Sequence, residues 1–352
     1  MANVILLLLA LLLILGGLGY SSLTRSSTNN TSPSRSVVAR KQTTIKPTAA
    51  STVSSPLAID TMREKSYSGS ALTIEQTVTP GANYKRYVVS YLSDGVKIYG
   101  LLTVPTGAKP HGGWPVILFN HGYIPPASYL TIASYSVMVE PLAASGYIVF
   151  KPDYRGNGNS EGTPVQPYVS PDYVTDSMNA LSSIKQYKDA NPQKIGVFGH
   201  SMGGNITLHE LVMTHDIKAA ELMSGVVGDE ASLAQWWNHR FAARSIVGND
   251  LDTYYAFEQM IKDHGTSVAK PQYWNAIDPT KYLSFITSPV EIQVGSADDE
   301  VPVSFSTTLR DSLRQAGKNV TFTQYSGADH NLSPDTSSAM NEAISFFNKY
   351  LK

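Results

Sequence analysis

The sequence predicts an α/β fold in which a mostly parallel sheet carries helices on both faces. Short apolar strand patterns alternate with helical patterns from about residue 115 onward, which is typical of strand–helix–strand units. The strands at 115–119 and 147–150 are continuously apolar, as expected of strands buried on both faces. A serine in a glycine-rich turn, at 199–204, separates a third such strand from a helix. With 352 residues the chain has room for one large domain with appendages, or for two small domains.

The first twenty residues predict a targeting segment. Residues 4–18 are almost purely apolar, and the first charged residue is Arg25. The run is long for a signal-peptide core and slightly short for a membrane span, so residues 1–20 can be a signal peptide or an N-terminal membrane anchor. All nearby basic residues follow the run, a bias that favours a cytoplasmic location for the part of the chain after it. A long folded part can nevertheless cross the membrane regardless of this bias. We expect an extracytoplasmic protein, secreted or membrane-anchored.

Residues 21–58 predict a flexible linker. They are rich in Ser and Thr with scattered Pro, and they hold too little apolar surface to order themselves. Residues 1–58 contain five of the 27 basic residues and no acidic one, which leaves 22 basic against 28 acidic residues, a net charge of −6, in the rest. Five dispersed charges are a poor case for a nucleic-acid-binding tail, so no nucleic-acid partner is expected. The folded domain is expected over 59–352.

The domain is expected to begin with antiparallel strands and to continue with strand–helix alternation. Residues 72–79 alternate loosely, and 87–92 and 96–104 predict strands joined by the hairpin signal Ser93-Asp94-Gly95. The later strands are expected at 115–119, 147–150, 194–198, 219–227, 290–294 and 320–325, and the helices at 129–144, 173–187, 205–212, 304–315 and 337–350.

An aromatic-rich segment, 229–286, interrupts the alternation and predicts a helical cap inserted between two strands. Most of its aromatic side chains are expected to pack the cap onto the core. Trp236 and Trp237 are also candidates for a substrate pocket, which would favour an apolar or aromatic acyl or leaving group.

The glycine-rich turn Gly199-His200-Ser201-Met202-Gly203-Gly204 predicts a nucleophile elbow. A serine on so tight a strand-to-helix turn has a strained backbone, and its hydroxyl stands clear of the sheet edge. Side chains at Gly199 and Gly203 would collide with the neighbouring strand and helix. The helix that follows directs its first N–H groups at charge that develops beside Ser201. The motif alone is weak, because glycine-rich turns also occur by chance.

An acid and a histidine follow in the places that such a serine requires. Asp298 and Asp299 come directly after the strand at 290–294, and His330 follows the next strand. Loops after parallel strands meet at one edge of the sheet, the same edge as Ser201. Serine needs a base within hydrogen-bond reach, imidazole can take the proton and return it, and a carboxylate fixes the tautomer. We expect Ser201, Asp298 and His330 to be catalytic, with Asp299 as the alternative acid.

An oxyanion hole is expected from two backbone N–H groups. One belongs to Met202, directly after the serine, and the other to Tyr123, in the loop after the strand at 115–119. The Tyr123 hydroxyl is an alternative contact to oxyanion or substrate. His121 is expected to shape this loop, and His200 to pack beside the serine.

These segments resemble the α/β-hydrolase superfamily, and more narrowly the catalytic domain of the prolyl oligopeptidase family and the related dienelactone hydrolase-like esterases. The resemblance runs from about residue 90 to 350 and implies Ser201, Asp298 and His330 as the triad. It also implies that Tyr154-Arg155-Gly156 shapes the rim of the site. Prolyl oligopeptidases carry a large N-terminal β-propeller, and residues 60–105 are too short for one.

The predicted function is that of a serine hydrolase, carboxylesterase-like, that cleaves an ester or amide bond through an acyl-enzyme. A serine peptidase of the prolyl oligopeptidase type and a catalytically inactive hydrolase-fold binding module are the alternatives. No metal or cofactor is expected, since the chain lacks cysteine, a histidine–carboxylate cluster with ligand spacing and a G-x-G-x-x-G motif. The expected partner is a small ester or peptide substrate, and the sequence does not indicate an oligomeric state.

Overall fold

The computed structural model describes residues 53–242 and 249–352. The predicted targeting segment, 1–20, and the predicted linker up to residue 52 lie outside the described residues. Within the described ranges, no helix is both long enough and apolar enough to span a membrane. The end of the predicted linker packs on the domain, where Ala58 is buried and its N–H donates to the carbonyl oxygen of Ser55.

The strands form a single sheet that confirms the predicted fold class. In chain order they are β1 (Thr73–Val78), β2 (Tyr84–Ser93), β3 (Val96–Pro105), β4 (Trp114–Asn120), β5 (Ile148–Pro152), β6 (Ala190–His200), β7 (Ala219–Met223), β8 (Val290–Gly295) and β9 (Val320–Tyr325). Their order across the sheet is β1-β2-β3-β5-β4-β6-β7-β8-β9. Pairing is antiparallel from β1 to β5 and parallel from β5 to β9, so the antiparallel start is also confirmed.

Helices cover both faces of this sheet. They are α1 (Ile59–Glu64), α2 (Ser136–Ala144), α3 (Asp172–Lys185), α4 (Met202–Met213), α5 (Glu230–Ala242), α6 (Asn249–His264), α7 (Pro271–Ile277), α8 (Val303–Gln315) and α9 (Thr336–Leu351). Alternate residues of β4 separate the two cores, because side chains of a strand alternate between faces. Val116 and Leu118 pack in one apolar cluster with α3, α4 and α8, whereas Ile117 and Phe119 pack in a second cluster with α2 and α9.

The helical insertion predicted over 229–286 is present between β7 and β8. It consists of α5, α6 and α7 followed by two short 3₁₀ turns. Trp237 and Trp274 of this cap are buried and belong to the same apolar cluster as α4, so its aromatic residues do pack the insertion onto the core.

The helix predicted over 129–144 begins only at Ser136, so the first half of that prediction is wrong. The buried Lys151 Nζ donates to the carbonyl oxygen of Thr131 at 3.1 Å, a group that a helix would use for its own bond. A buried ammonium needs such acceptors, since an unpaired charge in a core is costly. Tyr135 then adopts a left-handed backbone, with φ 66°, directly before the helix.

The strand predicted over 219–227 ends at Met223. Ser224 has a positive φ of 48°, which turns the chain out of the sheet. The N–H of Val226 then donates to the carbonyl oxygen of Ser201 at 3.0 Å. The residues after Met223 therefore anchor the serine turn instead of extending β7.

Candidate active site

Ser201 lies on a strained turn between β6 and α4. Its backbone has φ 55° and ψ −121°, a conformation that side-chain-bearing residues rarely adopt. Its N–H donates to the carbonyl oxygen of Met223 at 3.1 Å, and its own carbonyl oxygen accepts from Gly204 at 2.9 Å. The turn is thus held from the end of β7 and from the first turn of α4, as a nucleophile elbow requires.

The glycines on either side of this serine are required by close packing, as predicted. A Cβ at Gly203 would overlap the carbonyl oxygen of Asn120, at the end of the neighbouring strand β4. A Cβ at Gly199 would overlap the α4 helix at the carbonyl oxygen of Gly203 and the hydroxyl of Thr207. Any side chain at these two positions would push the helix away from the strands and move Ser201.

The structure places His330 against Asp298. His330 Nδ1 lies 2.9 Å from Asp298 Oδ2, and both side chains are almost completely buried. Asp298 Oδ1 accepts from the N–H groups of Glu300 and Val301 at 3.0 and 2.9 Å. With these bonds the carboxylate is fixed in orientation and turned toward the imidazole. Asp299, the alternative acid, is exposed.

The loops that carry these two residues are in direct contact. A Cβ at Gly295, the last residue of β8, would overlap the carbonyl oxygens of Ala328 and Asp329. The N–H of Ala297 donates to the carbonyl oxygen of Ala328 at 2.9 Å. This contact brings the acid of one strand–helix loop within hydrogen-bond reach of the histidine of the next.

The turn that carries Ser201 lies close to this pair. The ring of His200, its neighbour in the chain, is 5.0 Å from the ring of His330 between centroids. Because Nδ1 of His330 faces Asp298, Nε2 is the nitrogen that remains for the serine, and it lies 3.8 Å from Glu300 Oε2. Glu300 and Ser201 line the same cavity.

The loop predicted to supply an oxyanion donor is fixed on both sides of Gly122. The Gly122 N–H donates to the hydroxyl oxygen of Tyr135 at 2.8 Å. The Gly122 carbonyl oxygen lies 2.7 Å from His121 Nδ1. Burial lowers the pKa of His121 to about 3, so the ring is neutral. Its Nε2 lies 3.3 Å from the carbonyl oxygen of Asp153, so the ring is held between two carbonyl groups. The peptide that joins Gly122 to Tyr123 is therefore oriented by His121, which fits the predicted loop-shaping role.

The second predicted donor follows from helix geometry. Met202 is the first residue of α4, so no carbonyl group of the helix can accept its N–H. The N-terminus of α4 also concentrates positive partial charge next to Ser201.

Tyr154, which the resemblance implied at the rim, lies instead beneath the oxyanion loop. Its ring is completely buried and stacks on His121 with the centroids 4.4 Å apart. Arg155 pairs with the buried Asp176, Nη2 to Oδ1 at 2.7 Å. These contacts support the loop from below.

A buried polar network behind the elbow was not predicted from the sequence. Asn120 Nδ2 donates to Glu210 Oε2 at 2.8 Å and to Thr207 Oγ1 at 2.9 Å, while Asn120 Oδ1 accepts from Ser177 Oγ at 2.6 Å. Burial raises the pKa of Glu210 to about 7. Ser177, Thr207 and Glu210 lie in segments whose pattern predicts only a helix, and Asn120 follows a predicted strand, so no sequence signal connects the four. Together they connect β4, α3 and α4 beneath Ser201.

A cavity of about 120 Å³ opens beside Ser201. Its walls combine residues of the core with residues of the cap: Tyr123, Pro167, Tyr168, Val226, Trp236, Trp237, Thr253, Glu300 and Val301. The rings of Trp236 and Trp237 are 4.7 Å apart, and Trp236 also meets Phe305 of α8 edge-on. The two tryptophans predicted to line a pocket therefore lie on the cavity that contains the serine.

In the part of the chain that the structure describes, no group of three His, Asp or Glu side chains could hold a metal ion.

Comparison with known sequences identifies relatives over most of the domain. The profile of the prolyl oligopeptidase family matches residues 133–352. The uncharacterized peptidase YtmA of Bacillus subtilis is 27% identical over 73% of this chain and 90% of its own length. The uncharacterized peptidase YuxL of the same organism is 29% identical over 68% of this chain. The chain spans about a third of YuxL, 34% of its length.

Solved structures share the fold. The acetyl xylan esterase from Paenibacillus sp. R4 has a TM-score of 0.61 and 18% identity over 83% of this chain and 92% of its own. The acylaminoacyl peptidase of Pyrococcus horikoshii has a TM-score of 0.60 and 20% identity over 77% of this chain and 42% of its own. At these identities the likeness concerns the arrangement of strands and helices.

Proposed function

This chain belongs to the prolyl oligopeptidase family and is a serine hydrolase, and we propose that Ser201, Asp298 and His330 are its catalytic triad. The observation that carries the proposal is the 2.9 Å bond between His330 Nδ1 and Asp298 Oδ2 at the sheet edge where Ser201 lies on its strained turn. Family membership supplies the reaction class, and this geometry supports the choice of residues.

The proposed reaction has two steps. His330 Nε2 takes the proton of the Ser201 hydroxyl as the oxygen attacks the substrate carbonyl, and then donates that proton to the leaving group. Asp298 keeps His330 in the tautomer with Nδ1 protonated and stabilises the imidazolium that forms. In the second step His330 activates a water molecule, which releases the acid from Ser201.

The N–H groups of Met202 and Tyr123 are the proposed donors to the oxyanion. One is directed by the first turn of α4, and the other by the clamped peptide after Gly122. Donors that are already oriented lower the barrier because they need no rearrangement as negative charge develops.

The size of the cavity supports an ester with a compact acyl group as the substrate. Its volume, about 120 Å³, is well below the roughly 300–1,000 Å³ of pockets that hold drug-sized ligands. Trp236 and Trp237 are the bulkiest side chains that line the cavity. We therefore assign the cavity to a short apolar acyl group, with the leaving group toward solvent.

Peptide hydrolysis is the second candidate, and the relatives favour it. YtmA and YuxL both carry the name peptidase, and the acylamino-acid-releasing enzyme of Arabidopsis thaliana is 25% identical over 74% of this chain. An acyl-enzyme forms from an amide by the same steps, so the triad serves either substrate.

A substrate panel separates the candidates. The full chain is assayed with p-nitrophenyl acetate, butyrate and octanoate and with proline-containing peptide anilides, and Ser201→Ala is the blank. We expect kcat/KM to fall from acetate to octanoate, with little anilide turnover. Anilide turnover that matches the ester rates would instead assign a peptidase. If no substrate exceeds the blank, the result contradicts the proposed triad and favours the binding-module alternative.

A further inference from the structure

A continuous chain of hydrogen bonds runs behind the site from the loop of His330 to the oxyanion loop. His200 Nε2 lies 3.3 Å from the carbonyl oxygen of His330, and His200 Nδ1 lies 3.1 Å from the hydroxyl of Tyr135. That hydroxyl accepts from the Gly122 N–H at 2.8 Å. The chain therefore contacts the backbone beside each of three functional parts: the general base, the nucleophile and the oxyanion donor at residue 123.

The direction of every bond in this chain is determined by chemistry. The His330 carbonyl oxygen can only accept, so His200 Nε2 carries the proton. Burial lowers the pKa of His200 to about 3, which leaves the ring neutral with Nδ1 as an acceptor. The Tyr135 hydroxyl donates to Nδ1, and its oxygen is then available for the Gly122 N–H. Tyrosine is suited to this place because one atom must donate on one side and accept on the other.

We propose that Tyr135 and His200 are positioning residues that align the oxyanion peptide with Ser201 and His330. The inference rests on the proposed function, since it assigns the alignment to the donor at Tyr123. Neither side chain is assigned a contact with substrate. They act through Gly122 and through the backbone of His330.

The packing around Tyr135 leaves little room for these hydrogen bonds to rearrange. A Cβ at Gly122 would overlap the Tyr135 hydroxyl and would lie 2.9 Å from the Cβ of Ser201, so the loop is wedged between these two side chains. The Tyr135 ring packs edge-on against Phe119 at 5.6 Å between centroids. Tyr135 also keeps its left-handed backbone, with φ 66°, to present the hydroxyl in this place. Loss of the hydroxyl would release the Gly122 N–H while the ring packing remains.

A matched control exists at the other end of the same apolar cluster. Tyr147 is a buried tyrosine whose hydroxyl donates to Asn348 Oδ1 at 2.8 Å and whose ring packs edge-on against Phe347. Tyr147→Phe removes a hydroxyl of the same kind without touching the site. Any general effect of losing a tyrosine hydrogen bond will appear in this variant too.

The test compares Tyr135→Phe with Tyr147→Phe in the full chain, using p-nitrophenyl acetate. We expect Tyr135→Phe to lower kcat by about ten- to a hundredfold with KM within about twofold, since a misplaced donor acts on the transition state. We expect a similar loss in affinity for a short alkylboronic acid, whose tetrahedral adduct on serine carries an oxyanion-like oxygen. Tyr147→Phe should keep kcat and boronate affinity within about twofold.

A double-substitution cycle tests whether Tyr135 and His200 act through one chain of hydrogen bonds. His200→Leu removes both bonds of the ring and should also lower kcat. The combined variant Tyr135→Phe with His200→Leu should lose less than the product of the two single losses, because residues of one network are not additive.

The outcomes separate this inference from the proposed function. If wild type turns over ester and Tyr135→Phe behaves like Tyr147→Phe in kcat and boronate affinity, the inference is wrong and the triad stands. Losses that multiply in the double variant would likewise contradict the inference that Tyr135 and His200 act through one chain of hydrogen bonds. If wild type itself neither turns over substrate nor binds the boronate above the Ser201→Ala blank, the proposed function fails.

Discussion

Two neighbouring aspartates at the site differ in what their carboxylates contact. Asp298 binds His330 through one oxygen and two backbone N–H groups through the other, whereas Asp299 is exposed. A carboxylate held on both oxygens cannot rotate away from the imidazole, so it can keep Nδ1 protonated. An exposed neighbour of the same charge lacks this geometry and provides a control at the adjacent position.

The catalytic acid can be identified by substituting these two residues in turn. Asp298→Asn should lower kcat by about 10³- to 10⁴-fold, because an amide can stabilise the wrong imidazole tautomer. Asp299→Asn changes the net charge by the same amount and should keep kcat within about twofold. Ester turnover by both purified variants provides the measurement, and equal losses would contradict the assignment of Asp298.

At the scale of elements, the cap helix α5 forms part of the cavity wall beside Ser201. Trp237 lies on this helix, is buried, and forms part of the cavity wall beside Ser201. Trp274 of α7 is also buried in the cap, but its indole N–H donates to the Gly265 carbonyl oxygen at 2.9 Å, and it is not part of that wall. Substitution of Trp237 therefore tests the shape of the pocket, and substitution of Trp274 tests the stability of the cap.

Replacing each tryptophan with leucine should separate these roles. Trp237→Leu should enlarge the pocket and raise the octanoate-to-acetate ratio of kcat/KM by about tenfold, since each methylene that a pocket admits is worth a factor of this order. Trp274→Leu should lower the melting temperature without changing that ratio. A ratio that stays constant in Trp237→Leu, or shifts equally in both variants, would contradict the proposed acyl pocket.

At the scale of the whole molecule, the polar network beneath the elbow makes stability depend on pH. Burial raises the pKa of Glu210 from 4.5 to about 7. The folded state therefore holds this proton more tightly than the unfolded state. The stabilisation of the fold by this proton is fully present below about pH 4.5. The effect is lost as pH rises through about 7, where the buried carboxylate becomes charged.

Glu210→Gln should remove this part of the pH dependence, because the amide resembles the protonated acid. Between pH 5 and 8 the free energy of unfolding of wild type should fall relative to that of Glu210→Gln, by at most about 3 kcal/mol, given about 1.4 kcal/mol per pKa unit. Urea unfolding of both proteins at the two pH values measures the difference. Parallel pH profiles would show that Glu210 does not titrate in this range.

Short-range patterns were sufficient to predict the parts of the molecule that depend on local chemistry. The elbow needs glycine beside Ser201, and the acid and histidine need only to follow parallel strands, so residue type and order are sufficient to propose them. The parallel sheet followed in the same way from continuous apolar runs. The bond between Asp298 and His330 connects two loops that the strand pattern had already placed at one edge.

The parts that sequence could not predict depend on contacts between distant residues. Tyr135 lies in a segment with a helical pattern, but Lys151 takes a carbonyl group from that segment and the helix starts one residue after Tyr135. Glu210 is separated by 90 positions from Asn120, its hydrogen-bond donor. No local pattern reports such pairs, so the support of the site became visible only in the fold.

The central claim, that Ser201 is the nucleophile of this hydrolase, is tested most directly by covalent labelling of the full chain with a fluorophosphonate followed by peptide mass mapping. The probe reacts with a serine that a neighbouring base activates, whatever the substrate. We predict one adduct, on Ser201, absent from Ser201→Ala and strongly reduced in Asp298→Asn. An active wild-type protein that is labelled on another side chain, or is not labelled, would contradict the account.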